Sequence, residues 1–404
     1  MHRVVVTGVG VASPLGCSIA EFTEKLFAGH CAIGPVTFTR PTGSITYRGA
    51  QVENFDASQH VDARKLSLMD RFSHLAVAAA RQAWAQANIQ PTPEFQQQCA
   101  VILGTGVGGQ ITMEEAYDRM WGNPTASRVH PLSVPRLMAN ANTSQVSMDL
   151  GLQGPGFTIA SACASSTHAI GTAYHMVRSG MVRAAMTGGS EATLTLGCLK
   201  GWEALRVMSP DFCRPFSKGR QGMVLGEGAG CLMLERMDDA TARGAKILAE
   251  MIGFGQSCDA RDITTPDQGG MMRALQNALH DAGVEPTQVV HINAHGTGTR
   301  ANDTTESAAL KDVFGDHLHG MKTTANKSLF GHALGAAGAL EMVATVLSLH
   351  HQRVPPTLHF VEPDPDCALV PITTTTETLP QGAIAIKNSF AFGGLNAVLV
   401  VRGC

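Results

Sequence analysis

Apolar residues recur along this chain in two rhythms that take turns. Short runs rich in β-branched and small apolar residues, at 3–9, 100–103, 157–160, 183–189, 246–254 and 289–292, have the length and flanking glycines of buried strands. Between them the spacing lengthens to that of a helix: Leu68, Phe72, Leu75, Ala79 and Ala83 share one face of residues 67–87. Similar spacing predicts helices over 19–28, 135–150, 164–178, 238–244, 271–282 and 333–347. Residues 31–56 have β character without a regular period, 209–221 is a Pro/Arg/Lys-containing loop, and 222–234 leads through Gly226-Glu227-Gly228-Ala229-Gly230 into another strand. Strands alternating with helices predict an α/β protein.

The pattern also begins to repeat. Residues 67–87 are followed by Pro91-Thr92, an apolar strand and Gly104-Thr105-Gly106; residues 271–282 are followed by Pro286-Thr287, an apolar strand and Gly296-Thr297-Gly298. A duplicated α/β unit leaves this kind of trace. It predicts two halves, 1–245 and 246–404, with corresponding strand ends around one central cleft.

Gly104-Thr105-Gly106-Val107-Gly108-Gly109 also matches G-x-G-x-x-G between a strand and a helix. A dinucleotide site needs a second strand ending in an acidic residue about 20 positions on. Residues 121–127 are loop-like instead, so a glycine turn holding no nucleotide is the preferred reading.

Composition narrows the class. A chain of 404 residues with 44% hydrophobic positions, 43 glycines and only 16% charged residues has the profile of an α/β enzyme rather than a coiled coil. Net charge of −3 without a basic stripe argues against nucleic-acid binding. The ten cysteines are scattered and none has C-x-x-C spacing, so no structural zinc pattern and no disulfide framework is expected, and a reducing compartment is. Gly8, Gly10, Ser13 and Pro14 break the N-terminal apolar run, which is not a signal peptide. No window reaches the ~20 apolar residues that span a bilayer. The expected location is the cytoplasm, with no metal and no membrane partner.

Candidate chemistry starts at Ser161-Ala162-Cys163-Ala164-Ser165. Cys163 falls at a strand-to-helix corner, where free N–H groups and the helix dipole favour thiolate. Most cysteines are inert filler, and three other stretches decide the matter. His295 ends a strand in Asn293-Ala294-His295-Gly296-Thr297-Gly298-Thr299. Lys327 and His332 lie five apart just before an Ala/Gly-rich helix. Asn388-Ser389-Phe390-Ala391-Phe392-Gly393-Gly394-Leu395-Asn396 is a glycine-rich loop between the last two strands. A cysteine nucleophile suits acyl exchange with a thioester. Two histidines could donate to an enolate or oxyanion, and loop N–H groups could complete an oxyanion hole.

Over essentially its whole length, and in four ordered motifs, the sequence resembles the β-ketoacyl-acyl carrier protein synthases of the thiolase-like superfamily, KAS I/II branch. The resemblance implies a duplicated αβαβα layered fold. It implies decarboxylative Claisen condensation of malonyl-acyl carrier protein with an acyl chain on Cys163. His295 and His332 hold the enolate oxygen, Lys327 supports His332, and the N–H groups of Cys163 and Phe392 form the oxyanion hole, with Phe392 also a gate. Glu341, Thr297 and Thr299 are supporting residues. No cofactor is implied, since substrates arrive on the phosphopantetheine of acyl carrier protein. The partners implied are that carrier and a second subunit, identical or a related chain-length factor.

Ala391 and Leu395 depart from the Gly-Phe-Gly-Gly-Thr pattern of fatty-acid synthases in this branch, and Val107 is small for the floor of the acyl pocket. These three point to a specialised synthase, for example of a polyketide or aryl polyene. Arg64, Lys65, Arg71 and Arg206 are candidates for docking an acidic carrier. A non-catalytic chain-length-factor-like subunit and a coenzyme A-ester thiolase remain the alternatives; the first typically lacks the cysteine, the second uses another cysteine as base.

Overall fold

The computed structural model describes residues 1–40, 43–123, 125, 128–367 and 370–404. The first half supplies strands β1 (Val4–Ala12), β2 (Cys99–Gly104), β3 (Gly156–Ile159), β4 (Ala184–Glu191) and β5 (Gly228–Arg236), hydrogen-bonded in the order β3-β2-β4-β5-β1. The second supplies β6 (Ala249–Cys258), β7 (Val289–Asn293), β8 (Lys322–Thr324), β9 (Ile384–Ala391) and β10 (Leu395–Gly403), in the order β8-β7-β9-β10-β6. The two orders are the same. Directions agree as well: the first two pairs of each set are parallel and the other two antiparallel. The sets join where Val4, Val5 and Val6 pair antiparallel with Met251, Glu250 and Ala249.

Helix α1 (Arg71–Ala87) covers the outer face of the first set. Helix α2 (Ser165–Ser179) follows β3; α3 (Gln268–Ala282) and α4 (Arg300–Phe314) cover the second set; α5 (Ala337–His350) follows β8. Helices α2 and α5 lie together between the two strand sets and touch strands of both, which makes five layers. A helix in that position has no solvent face, and α5 is buried from Ala337 through Leu349. Its start crosses α2 closely: a Cβ on Gly338 would lie 2.1 Å from Thr167 Oγ1. One apolar cluster contains Val4, Val177, Leu340 and Val401, so the halves share a core. The change from one strand set to the other falls after the short helix Met237–Ala242.

Several elements differ from expectation. Helix α1 starts at Arg71 because Asp70 caps it, accepting from Phe72 N–H. Residues 135–150 divide into Ser133–Leu137 and Ala141–Leu150. The helix Gln110–Gly122 extends into the expected loop at 121–127, of which Pro124, Ala126 and Ser127 lie outside the described residues. Within 31–56, Gly34–Arg40 and Gly43–Ala50 form an antiparallel hairpin, with Pro41 and Thr42 outside the described residues. Strand β3 is not buried. Among the described residues it is an edge strand paired only with β2, and Phe157 is exposed. Among the described residues no helix is long and apolar enough to cross a membrane.

Candidate active site

The duplication puts two corners in equivalent places. After β3 the chain turns through Ala162 and Cys163 into α2; after β8 it turns through Lys327 and His332 into α5. Both corners contain a non-glycine residue in the left-handed region, Ala162 at φ 49° and Leu334 at φ 44°. Such backbone costs about 1–3 kcal/mol and persists only where surroundings enforce it. At the first corner Ala164 and Ser165 N–H return to the Ser161 and Ala162 carbonyls. The Ser165 hydroxyl donates to Ala162 O at 2.6 Å and accepts from Ser161 N–H.

The corners open on one cavity of about 640 Å³, lined by Cys163, His295, Thr297, Thr299, His332 and Phe392 among others. The imidazole rings of His295 and His332 are 5.5 Å apart, centroid to centroid, at 84°. Lys327 is fully buried. Its Nζ donates to His295 O and to Glu341 Oε1, both at 2.5 Å, and lies 3.3 Å from His295 Nδ1. An ammonium group only donates, so Nδ1 accepts and the neutral ring carries its proton on Nε2. The expected pairing of Lys327 with His332 is therefore corrected to His295. Lys327 opens the turn Lys327–Phe330, and Gly331 (φ 68°) then redirects the chain before His332.

Burial holds both histidines well below the usual imidazole range, and the charges of Lys327 and Lys387 push the same way. Burial also pushes the Cys163 thiol up to about 11, against the pull of Lys327. Burial of Cys163 thus works against the thiolate expected from the helix terminus.

Each Gly-Thr-Gly turn holds a carboxylate of the chain itself. Gly106 and Val107 N–H and the Thr105 hydroxyl donate to Glu191, as does Gly335 N–H from the other half. His295 and Gly296 N–H donate to Glu306 at 2.8 and 2.9 Å. A carboxyl group of the chain itself thus occupies the place a phosphate would take in each turn.

Phe392 sits at the tip of the hairpin between β9 and β10, stacked on Trp202 at 5.6 Å. Gly393 (φ 81°) donates its N–H to Ile263 O, and Gly394 (φ 68°) to Ala391 O. Ala391 lines the cavity as the last residue of β9, in backbone that alanine adopts freely. Leu395 packs against the shared core and not on the cavity wall. Val107 is 47% exposed and is not on the wall either. Thr297 and Thr299 share a hydroxyl contact of 2.9 Å, and Thr299 caps α4 by accepting from Asn302 N–H.

Of the docking candidates, only Arg206 lines the cavity, and it is exposed. Arg64 and Lys65 are exposed on a separate turn, Ala63–Leu66. Arg71 is committed elsewhere. It makes a two-pronged ion pair with Glu227, which is 2% exposed.

Four residues of the site escaped the sequence reading. Lys387, in β9, reaches Glu341 Oε2 at 3.1 Å; its one signal is a charge directly after the apolar run Ala383-Ile384-Ala385-Ile386. Glu306 lies eleven residues after His295 with nothing to mark it. Trp202 backs Phe392. Arg220, buried in the cavity wall, pairs with Asp364 and lies 3.6 Å from Asp303.

Comparison with known proteins follows the same division. The family described as "Beta-ketoacyl synthase, N-terminal domain" matches residues 1–240, and "Beta-ketoacyl synthase, C-terminal domain" matches residues 248–361. The chain is 42% identical over 401 residues to Nodulation protein E of Rhizobium sp. (strain N33), covering 99% of each. It is 38% identical over 408 residues to 3-oxoacyl-[acyl-carrier-protein] synthase 2 of Synechocystis sp., covering 99% of this chain and 98% of the relative. A solved structure titled "The ishigamide ketosynthase/chain length factor" superposes with a TM-score of 0.93 at 36% identity, covering 100% and 99%.

Proposed function

The chain belongs to the β-ketoacyl synthase family, and we propose that its cavity joins an acyl group on Cys163 to the two-carbon unit left when a malonyl thioester loses CO2. The product is a 3-oxoacyl-acyl carrier protein, in fatty acid or polyketide chain elongation. One observation carries the reading: Cys163, His295, His332 and Phe392, from four separate stretches, line the same cavity.

In the first step Cys163 Sγ attacks the acyl thioester and the carrier thiol leaves. Because burial keeps Cys163 a thiol, its proton passes to the departing carrier sulfur as the bond forms; His295 already carries a proton on Nε2, so neutral His332 is the imidazole left to relay it. In the second step the malonyl C–C bond breaks, CO2 leaves and the electron pair becomes an enolate. His295 Nε2–H and His332 donate to its oxygen; a preorganised donor of this kind is worth roughly 10²–10³ in rate. In the third step the enolate carbon attacks the acyl carbon. The resulting oxyanion is held by the N–H groups of Cys163 and Phe392, and collapse returns Cys163. Lys327, anchored by Glu341, fixes the tautomer of His295. Movement of Phe392 off Trp202 would open the acyl path.

Substrates would arrive on the phosphopantetheine arm of an acyl carrier protein, past Thr297 and Thr299, with no resident cofactor. Arg206 and Arg300, both exposed where they line the cavity, suit an acidic carrier. A second subunit of the same fold, identical or a chain-length factor, would cover the face beside β3. Val107, Trp121, Val134, Met148 and Phe157 leave that stretch with exposed apolar side chains. Val107 would then meet an acyl chain from across the interface. The ten free cysteines favour a reducing compartment, the cytoplasm. Likeness to the ishigamide ketosynthase favours a specialised product.

The test is incubation with malonyl- and acyl-carrier protein, following CO2 and 3-oxoacyl product by mass spectrometry. Both are expected. Acylation of Cys163 without either one would remove the condensing assignment.

A further inference from the structure

Lys387 is a charged residue in the middle of β9, in register with Asn293 of β7 and Leu399 of β10, and it is fully buried. Its Nζ donates to Thr167 Oγ1 at 3.1 Å and to Ser389 Oγ, and these two hydroxyls are 2.8 Å apart. The contact with Glu341 Oε2 at 3.1 Å is ionic rather than an aligned hydrogen bond. Glu341 thereby lies between two ammonium groups, Lys327 on Oε1 and Lys387 on Oε2. The other carboxylate of the neighbourhood, Glu306 of α4, turns its oxygens to His295 N–H, Gly296 N–H and the Asn388 amide.

Each contact of Lys387 leads to a different part of the site. Thr167 stands one turn beyond Cys163 on α2. Ser389 is three residues before Phe392. Glu341 leads through Lys327 to His295. A buried lysine that served packing alone would give way to an apolar side chain without loss. A fixed cation beside groups that become anionic needs no reorganisation when the charge develops.

We propose that Lys387 is a positioning residue of the condensing reaction, sharing Glu341 with Lys327 and tying the helix that follows Cys163 to the strand that leads to Phe392, while its charge favours the enolate. This rests on the condensing activity proposed above. The charged and titratable groups around it are Lys327 and Glu341, Glu306, His295 and His332, and His168 on α2. Burial draws the Lys387 ammonium down to about 8, against the pull of Glu341. Its charge adds to burial and to Lys327 in holding His295 and His332 low.

The experiment compares wild-type and Lys387→Met full-length protein for CO2 release from malonyl-carrier protein across pH 5–10, alongside thermal melting. Wild type should lose rate on the alkaline side as Lys387 deprotonates. The variant should melt as wild type does, release CO2 at least ~10-fold more slowly at pH 7, and lack that alkaline limb. Its acid limb, where His295 gains a second proton and gives up its contact with Lys327, should move to higher pH, because removing a cation raises the histidines. Lys387→Gln, which keeps a donor for Thr167 and Ser389 without the charge, should behave the same way. An unchanged rate, a slower rate with both limbs in place, or failure of both variants to fold would each overturn the proposal. A wild type that releases no CO2 would instead remove the condensing activity on which it stands.

Discussion

The corner after β3 and the corner after β8 hold the same station in two halves of one topology, yet their interiors are unlike. The first is lined with small side chains and presents one thiol, Cys163, which burial keeps protonated. The second buries Lys327 on Glu341 and presents His332, while Lys327 reaches across to His295 at the end of β7; both imidazoles are neutral. The fold supplies placement twice, and side chains divide the labour. A covalent hold needs an uncluttered approach, whereas an enolate needs fixed donors and charge.

The largest effect should come from removing the thiol. Cys163→Ala is expected to lower condensation by roughly 10³-fold or more while CO2 release from malonyl-carrier protein persists, read by product mass spectrometry and labelled CO2. Loss of both activities in a folded variant would show that the two corners do not act separately. Next, Lys327→Met frees His295 Nδ1 and leaves Glu341 with Lys387 alone. CO2 release should fall about 10²–10³-fold, while a single acylation of Cys163, followed by intact-protein mass, should fall much less. Equal losses in both would erase the division of labour.

A smaller effect tests protonation. Alkylation of Cys163 by iodoacetamide should rise about tenfold per pH unit through neutrality and reach no plateau before about 11. A plateau near pH 7 would restore the helix-terminus thiolate. The histidines make the opposite kind of statement. Their folded pKa values lie below the unfolded 6.5, so the unfolded chain binds more protons, and their contribution to stability is lost as pH falls below 6.5. The smallest expected effect is Gly338→Ala. Its Cβ would press on Thr167 between α2 and α5, costing about 1–3 kcal/mol in urea unfolding. A neutral result would mean that the two corners are not held in contact there.

Local signals revealed the halves and the principal side chains. Paired Pro-Thr and Gly-Thr-Gly stretches mark β2 and β7, strands at matching places in the two sets, and small residues around Cys163 mark a corner. Hidden from that reading was whatever depends on partners far along the chain. The identical strand orders rest on pairings such as Val101 with Gly156, and Lys387 with Leu399. Lys327 turned away from its neighbour His332 because Gly331 intervenes. A lysine at 387 reads as a surface residue until its strand is known to be central, and Arg71 reads as free until Glu227 is seen beneath it. The thiol's state depends on how much water the cavity admits, which no spacing encodes.

The carboxylates of Glu191 and Glu306, seated in the two Gly-Thr-Gly turns, have a consequence for the conditions under which the enzyme keeps its shape. A turn that borrows its anion from solution is only as well formed as the phosphate concentration allows, and is screened by salt. Here the occupant is covalently tethered and buried, so occupancy is complete once the chain has folded. The strand ends that space Cys163 from His295 should hold their geometry from dilute buffer to high ionic strength. Salt would then act on carrier arrival at the surface and leave the interior alone.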